Sequence, residues 1–214
     1  MLFKNLFKVE LFKNIILNKN FSFYLFIFVS VAFFIIGFVN IDNPFNAILG
    51  GHDFRRTQTA LTAFYLVKNG FSFAYETPVI GFPWSVPFEF PLYQWITGII
   101  SSTFNLPLVA TVRTVSLCFA YLTIIPIYNC LKILGMEKKH SFYLVSIFLS
   151  APIYIFWSST FMIESTALFF TFCFIYYVIK VFQGYTSTKL FLIGSSFLVL
   201  ALLQKATTVL PVLV

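Results

Sequence analysis

Pro91-Leu92-Tyr93-Gln94-Trp95-Ile96-Thr97-Gly98-Ile99-Ile100-Ser101-Ser102-Thr103-Phe104 is the stretch on which the topology turns. Its 14 residues are apolar enough to enter a bilayer, but a helix needs about 20 to cross the hydrocarbon core. It therefore predicts an interfacial or re-entrant segment. On either side lie longer apolar runs, at 21–39 before it and at 110–131, 141–157, 163–182 and 188–204 after it. Lys4, Lys8, Lys13 and Lys19 place the amino terminus on the cytoplasmic side by the positive-inside rule. With 91–104 held at the outer interface, Lys132, Lys138, Lys139, Lys180 and Lys189 all fall on the cytoplasmic side as well. A crossing at 91–104 would send those lysines outward, so the expectation is an all-α polytopic membrane protein with about five transmembrane helices.

Composition agrees. Of 214 residues, 59% are hydrophobic and 10% charged, with a mean hydropathy of +0.91, whereas soluble domains carry about 25% charged residues. The net charge of +7 does not point to nucleic acid, because the lysines flank apolar segments instead of clustering on a solvated face with stacking aromatics. Cys118, Cys130 and Cys173 sit inside apolar runs without metal-site spacing and read as packing residues.

Residues 1–20 repeat Leu2-Phe3-Lys4-Asn5, Leu6-Phe7-Lys8-Val9 and Leu11-Phe12-Lys13-Asn14, leucine and phenylalanine on one helical face and lysine on another. This is the pattern of a cytoplasmic interfacial helix. The run from Phe21 to Val39 is too long for the core of a signal peptide and no small-x-small site follows it, so it reads as an uncleaved anchor. Residues 21–214 then form one transmembrane domain in which 40–109 is a long first outer loop. Loops of that length are usually functional. A second outer connection is expected around Ser158–Glu164, and the chain returns to that face near Lys205. Val209-Leu210-Pro211-Val212-Leu213-Val214 reads as the start of a further span, so that the domain is expected to be incomplete.

The polar residues of these outer segments are the candidates for chemistry. In Gly50-Gly51-His52-Asp53-Phe54-Arg55-Arg56-Thr57-Gln58-Thr59-Ala60, a helix is expected to begin at Asp53 and to stop at Asn69-Gly70. Asp53 suits an N-cap, a role that leaves it able to face a site. Arg55 and Arg56 read either as solvated charges or as phosphate ligands. His52 has no second histidine at ligand spacing. Glu89, between Phe88 and Phe90 in a proline- and aromatic-rich stretch, needs a partner in an apolar setting. Glu164 opens the fourth span, where the helix dipole favours an acid, and membrane-depth ionisable groups are functional candidates. Arg113 and Lys205, at outer ends of spans, either bind phosphate or extend toward the interface.

The order of these elements resembles the GT-C class of membrane glycosyltransferases, in particular bacterial members similar to protein O-mannosyltransferases and aminoarabinose transferases. The resemblance runs through most of the chain. It rests on Asp53-Phe54-Arg55-Arg56-Thr57-Gln58-Thr59-Ala60 and on Trp84-Ser85-Val86-Pro87-Phe88-Glu89-Phe90-Pro91-Leu92-Tyr93-Gln94-Trp95. It continues with Arg113, an acid in the second outer loop and a late lysine. That acid is Glu164 where many relatives carry Asp, and the chain is shorter than the family's usual length.

The resemblance implies a GT-C-like fold in the plasma (inner) membrane. It also implies inverting transfer of a sugar from a polyprenyl-phosphate donor to a glycan, lipid or protein acceptor on the outer face. Asp53 is then the general base. Arg55, Arg56, Arg113 and Lys205 stabilise the leaving lipid phosphate, and Glu89 and Glu164 orient hydroxyls or an amine. No metal is required by these residues, though a divalent ion shared by Asp53 and Glu164 is compatible with them. The competing class is a non-enzymatic lipid-linked-sugar flippase or transporter subunit, for which polar or broken segments near the midplane of several spans are expected.

Overall fold

The computed structural model describes residues 19–41, 53–73, 75 and 89–213. Their regular elements are all helices: α1 (Lys19–Ile41), α2 (Asp53–Asn69), α3 (Leu92–Phe104), α4 (Leu108–Leu122), α5 (Ile124–Ile133), α6 (Lys138–Ser150), α7 (Pro152–Ser158), α8 (Glu164–Phe182) and α9 (Thr188–Leu213). The amino-terminal repeat, the segment 42–52 and most of the proline- and aromatic-rich stretch lie outside the described residues.

Four stretches are long and apolar enough to cross a membrane: Asn20–Val39, Leu108–Ile133, Glu164–Phe182 and Thr188–Val212. A fifth is α6 and α7 together, bent by 65° at their junction. This set is compatible with a multi-pass membrane protein and coincides with the five runs read from sequence. Helix α3, with 13 residues, is too short to join them. Asn105 ends it in the left-handed region at φ 51°, its N–H donating to the Ser101 carbonyl, a common helix stop.

Proline accounts for the interruptions. Pro126 has no N–H for the Leu122 carbonyl, and the chain divides at Thr123 into α4 and α5 while continuing as one apolar stretch. Pro152 opens α7, and Ala151 before it is extended at φ −62°, ψ 121°, the conformation that proline imposes on its predecessor. The third apolar run, at 141–157, is thus one candidate span made of two helices at an angle.

One core packs α1 against α4, α5 and α6 through Phe33, Leu117, Ala120, Ile124, Val145 and Leu149. Gly37 lets α1 approach closely, since a Cβ there would stand 2.5 Å from Leu117 Cδ1. Helices α8 and α9 form the tightest pair, an antiparallel hairpin turned at Gly184. Gly194 sets its closest approach, because a Cβ there would lie 3.0 Å from Tyr177 Cβ. Helix α9 is itself broken at Lys205, whose backbone is extended at φ −160°, ψ 96°. The fifth span read at 188–204 ends at that break.

Candidate functional site

The hairpin register carries one ion pair. Glu164 starts α8, and Lys205 lies about as far from the 183–187 turn along α9, so antiparallel packing sets the two side by side. Lys205 Nζ donates to Glu164 Oε1. The other carboxylate oxygen, Oε2, is buried without a hydrogen-bond partner among the described residues. A buried carboxylate oxygen left so is costly, and it offers an acceptor to a ligand.

A second ion pair forms from α2 and the segment entering α3. Arg55 Nη2 donates to Glu89 Oε2 at 2.6 Å and Nη1 to Gln58 Oε1 at 2.9 Å. Gln94 Nε2 donates to the remaining Glu89 oxygen at 3.0 Å. The Glu89 side chain is only 8% exposed, and these partners meet the requirement its apolar neighbours imposed. Tyr75 fastens the Glu89 backbone: its hydroxyl donates to the Glu89 carbonyl at 2.5 Å and accepts the Glu89 N–H at 3.2 Å.

Between the two pairs lies a cavity of about 410 Å³. Arg55, Ser158, Glu164 and Lys205 supply its polar wall, while Tyr154, Trp157 and Leu168 are among its apolar residues. Of the candidate residues, Arg55, Glu164 and Lys205 therefore meet in one cavity, and Glu89 stands behind Arg55. Arg56 is buried, its guanidinium 5.5 Å from the Phe156 ring centroid and 5.6 Å from that of Trp157. Arg113 is buried on α4, within electrostatic reach of Arg56 and Tyr93. Neither of these arginines lines the cavity. Asp53 is the first residue of α2, in the same turn as Arg55 and Arg56; its side chain lies outside the described residues, as does His52.

Several residues that position this site were not singled out from sequence. Tyr93 is wholly buried, its hydroxyl 2.6 Å from Ser116 Oγ and donating to the Val112 carbonyl at 2.8 Å. Ser116 Oγ donates to the Thr160 carbonyl at 2.8 Å, so it joins α3, α4 and the connection leading into Glu164. Burial pushes the Tyr93 phenol well above its ordinary value, with the nearby Glu164 charge acting in the same direction. Gln204, beside Lys205, donates from Nε2 to the Phe90 carbonyl at 2.8 Å and ties the break in α9 to the entry of α3. The available signal was polarity inside apolar runs: Ser116 and Gln204 each interrupt one.

Among the described residues, no three His, Cys, Asp or Glu side chains gather in a way that would hold a metal ion. A divalent ion at Glu164 would have to replace or adjoin the Lys205 ammonium. No protein-family model matches the chain, and comparison with curated proteins and with solved structures finds no match either.

Proposed function

We propose that this chain belongs to a GT-C-like membrane glycosyltransferase, transferring a sugar from a polyprenyl-phosphate donor to an acceptor at the outer face of the plasma membrane. The observation that carries the reading is the cavity where Arg55, Glu164 and Lys205 meet beside an apolar wall. A lipid-linked sugar phosphate needs that combination: cations for phosphate, an acceptor for hydroxyls and an apolar surface for the prenyl chain. Asp53 serves as general base for the attacking hydroxyl. That hydroxyl displaces the lipid phosphate at the anomeric carbon with inversion, and its proton passes to Asp53. Lys205 and Arg55 stabilise the phosphate as it leaves, each released in part from its carboxylate partner.

One observation favours a second reading. The α6–α7 span is sharply bent and α9 is broken, both beside the cavity, and broken helices line the substrate sites of many transporters. Transfer of radiolabelled sugar from polyprenyl-phosphate donors in membranes distinguishes the two. Asp53→Asn is expected to abolish transfer while inserting normally. Transfer unaffected by that substitution removes Asp53 as the base. A wild-type protein that transfers from no donor yet moves lipid-linked sugar across vesicles establishes the flippase reading.

A further inference from the structure

A second cavity lies at the opposite end of the helices, independent of the transferase reading. It encloses about 800 Å³ between the start of α1 and the start of α6, lined by Asn20, Phe23, Glu137, Lys138, Lys139 and Phe142. Outside the chamber, helix ends at the same end of the molecule also carry Lys132, Lys180 and Lys189. Glu137 offsets only part of this charge, through an ion pair of 3.2 Å with Lys139. Lys138 Nζ lies 5.8 Å from the Phe142 ring centroid, a contact that holds an ammonium at the edge of the apolar zone. Among the described residues no side-chain capping bond closes the first turn of α6, and the positive end of that helix adds to the field of the two lysines.

The same face of α1 continues into an apolar groove. Asn20 and Phe23 line the basic cavity, and Ile27, Val31, Phe34 and Phe38 line the groove beyond it, with Tyr121 from α4. Spacings of three and four residues keep these positions on one side of a helix. From Phe23 to Phe38 the helix rises about 22 Å at 1.5 Å per residue, more than half of a hydrocarbon core about 30 Å thick. A basic polar chamber and an apolar track longer than one leaflet thus follow one another along the same face of α1.

We propose that this chamber and groove together bind one anionic phospholipid, its phosphate against Lys138 and Lys139 and an acyl chain along α1. Basic pockets between transmembrane helices recognise such headgroups, each lysine strengthening attraction to an anionic surface by about fivefold in affinity. Charge complementarity selects an anionic over a zwitterionic lipid, and the groove's length selects a lipid over free phosphate.

Native mass spectrometry of the full chain, in detergent with equal amounts of phosphatidylglycerol and phosphatidylcholine of identical acyl chains, tests the site. The wild type is expected to retain one phosphatidylglycerol in roughly tenfold preference, below the ~25-fold of two unopposed lysines because Glu137 offsets part of the Lys139 charge. Lys138→Gln/Lys139→Gln should bring the ratio close to one, whereas Lys180→Gln/Lys189→Gln, which removes equal charge outside the chamber, should leave it near the wild-type value. Ile27→Trp/Val31→Trp, which fills the groove, should lower total retention of both lipids several-fold. Helix content and monodispersity are checked for each variant. Equal retention of both lipids by the wild type, equal losses in the two lysine pairs, or full retention with the groove filled overturns the proposal. So does a lipid-free dimer joined along α1, or displacement of the lipid by inorganic phosphate alone.

Discussion

Each cation that lines the cavity has a carboxylate partner, and the consequences differ with burial. Glu89 is 8% exposed and Arg55 34%. Glu89→Ala is expected to cost about 2 kcal/mol in thermal unfolding in detergent, below the 3–5 kcal/mol of fully buried pairs because solvent screens Arg55. A loss under about 0.5 kcal/mol would mean that the pair contributes nothing measurable. At the other pair, the proposed transferase function predicts that Lys205→Met reduces sugar transfer about a hundredfold through lost charge stabilisation, with little change in helix content. Tyr93 predicts an alkaline effect. Its phenol titrates above its unfolded value in the fold, so its neutral form contributes stability fully present below about pH 10 and lost as pH rises through the raised value. Tyr93→Phe is expected to flatten part of the fall in unfolding temperature above pH 10; an unchanged profile would exclude this contribution.

At the scale of elements, the bend at Ala151-Pro152 turns Tyr154 and Trp157 toward the cavity. Pro152→Ala restores a backbone N–H and relaxes Ala151, so α6 is expected to extend into α7. Iodide quenching of Trp157, in a background with Trp84 and Trp95 replaced by phenylalanine, should then change; unaltered quenching would show that packing alone holds the bend. Element type was legible in the sequence because it follows from run length and end signals: α2 begins at Asp53 and stops before Gly70, and α3 is short. The bend was not read, although Pro152 was in plain view, because run length alone cannot separate one span from two helices at 65°. Pairing was less accessible still. That Glu89 required a partner followed from Phe88 and Phe90 beside it, but the choice of Arg55 depends on how α2 lies against α3.

For the whole molecule, the described cations other than Lys19, at the start of α1, and Lys68, at the end of α2, divide between two ends. Arg55, Arg56, Arg113 and Lys205 lie at or beside the cavity, while Lys132, Lys138, Lys139, Lys180 and Lys189 mark the far turns. In a background lacking Cys118, Cys130 and Cys173, Met136→Cys and Ser187→Cys should be labelled by an impermeant maleimide only from the cytoplasmic side, and Asn105→Cys only from the outer side. Labelling of positions 105 and 187 from the same side would overturn the five-span topology. That the polar residues of distant segments would assemble at one end was readable from the alternation of spans. Which of them would share a cavity was not, since Arg56 and Arg113 differ from Arg55 and Lys205 only in the depth at which packing leaves them.

The α8–α9 hairpin also bears on how this chain tolerates changes in length. Inserting one residue within either helix between the turn and the ion pair would rotate everything beyond it by about 100° and shift it by 1.5 Å, separating Lys205 from Glu164. An insertion in the exposed 183–187 turn leaves both registers intact. Natural variants of this protein should therefore differ in length at that turn while keeping the distances from the turn to Glu164 and to Lys205 constant, so the two helices behave as a matched pair of rulers.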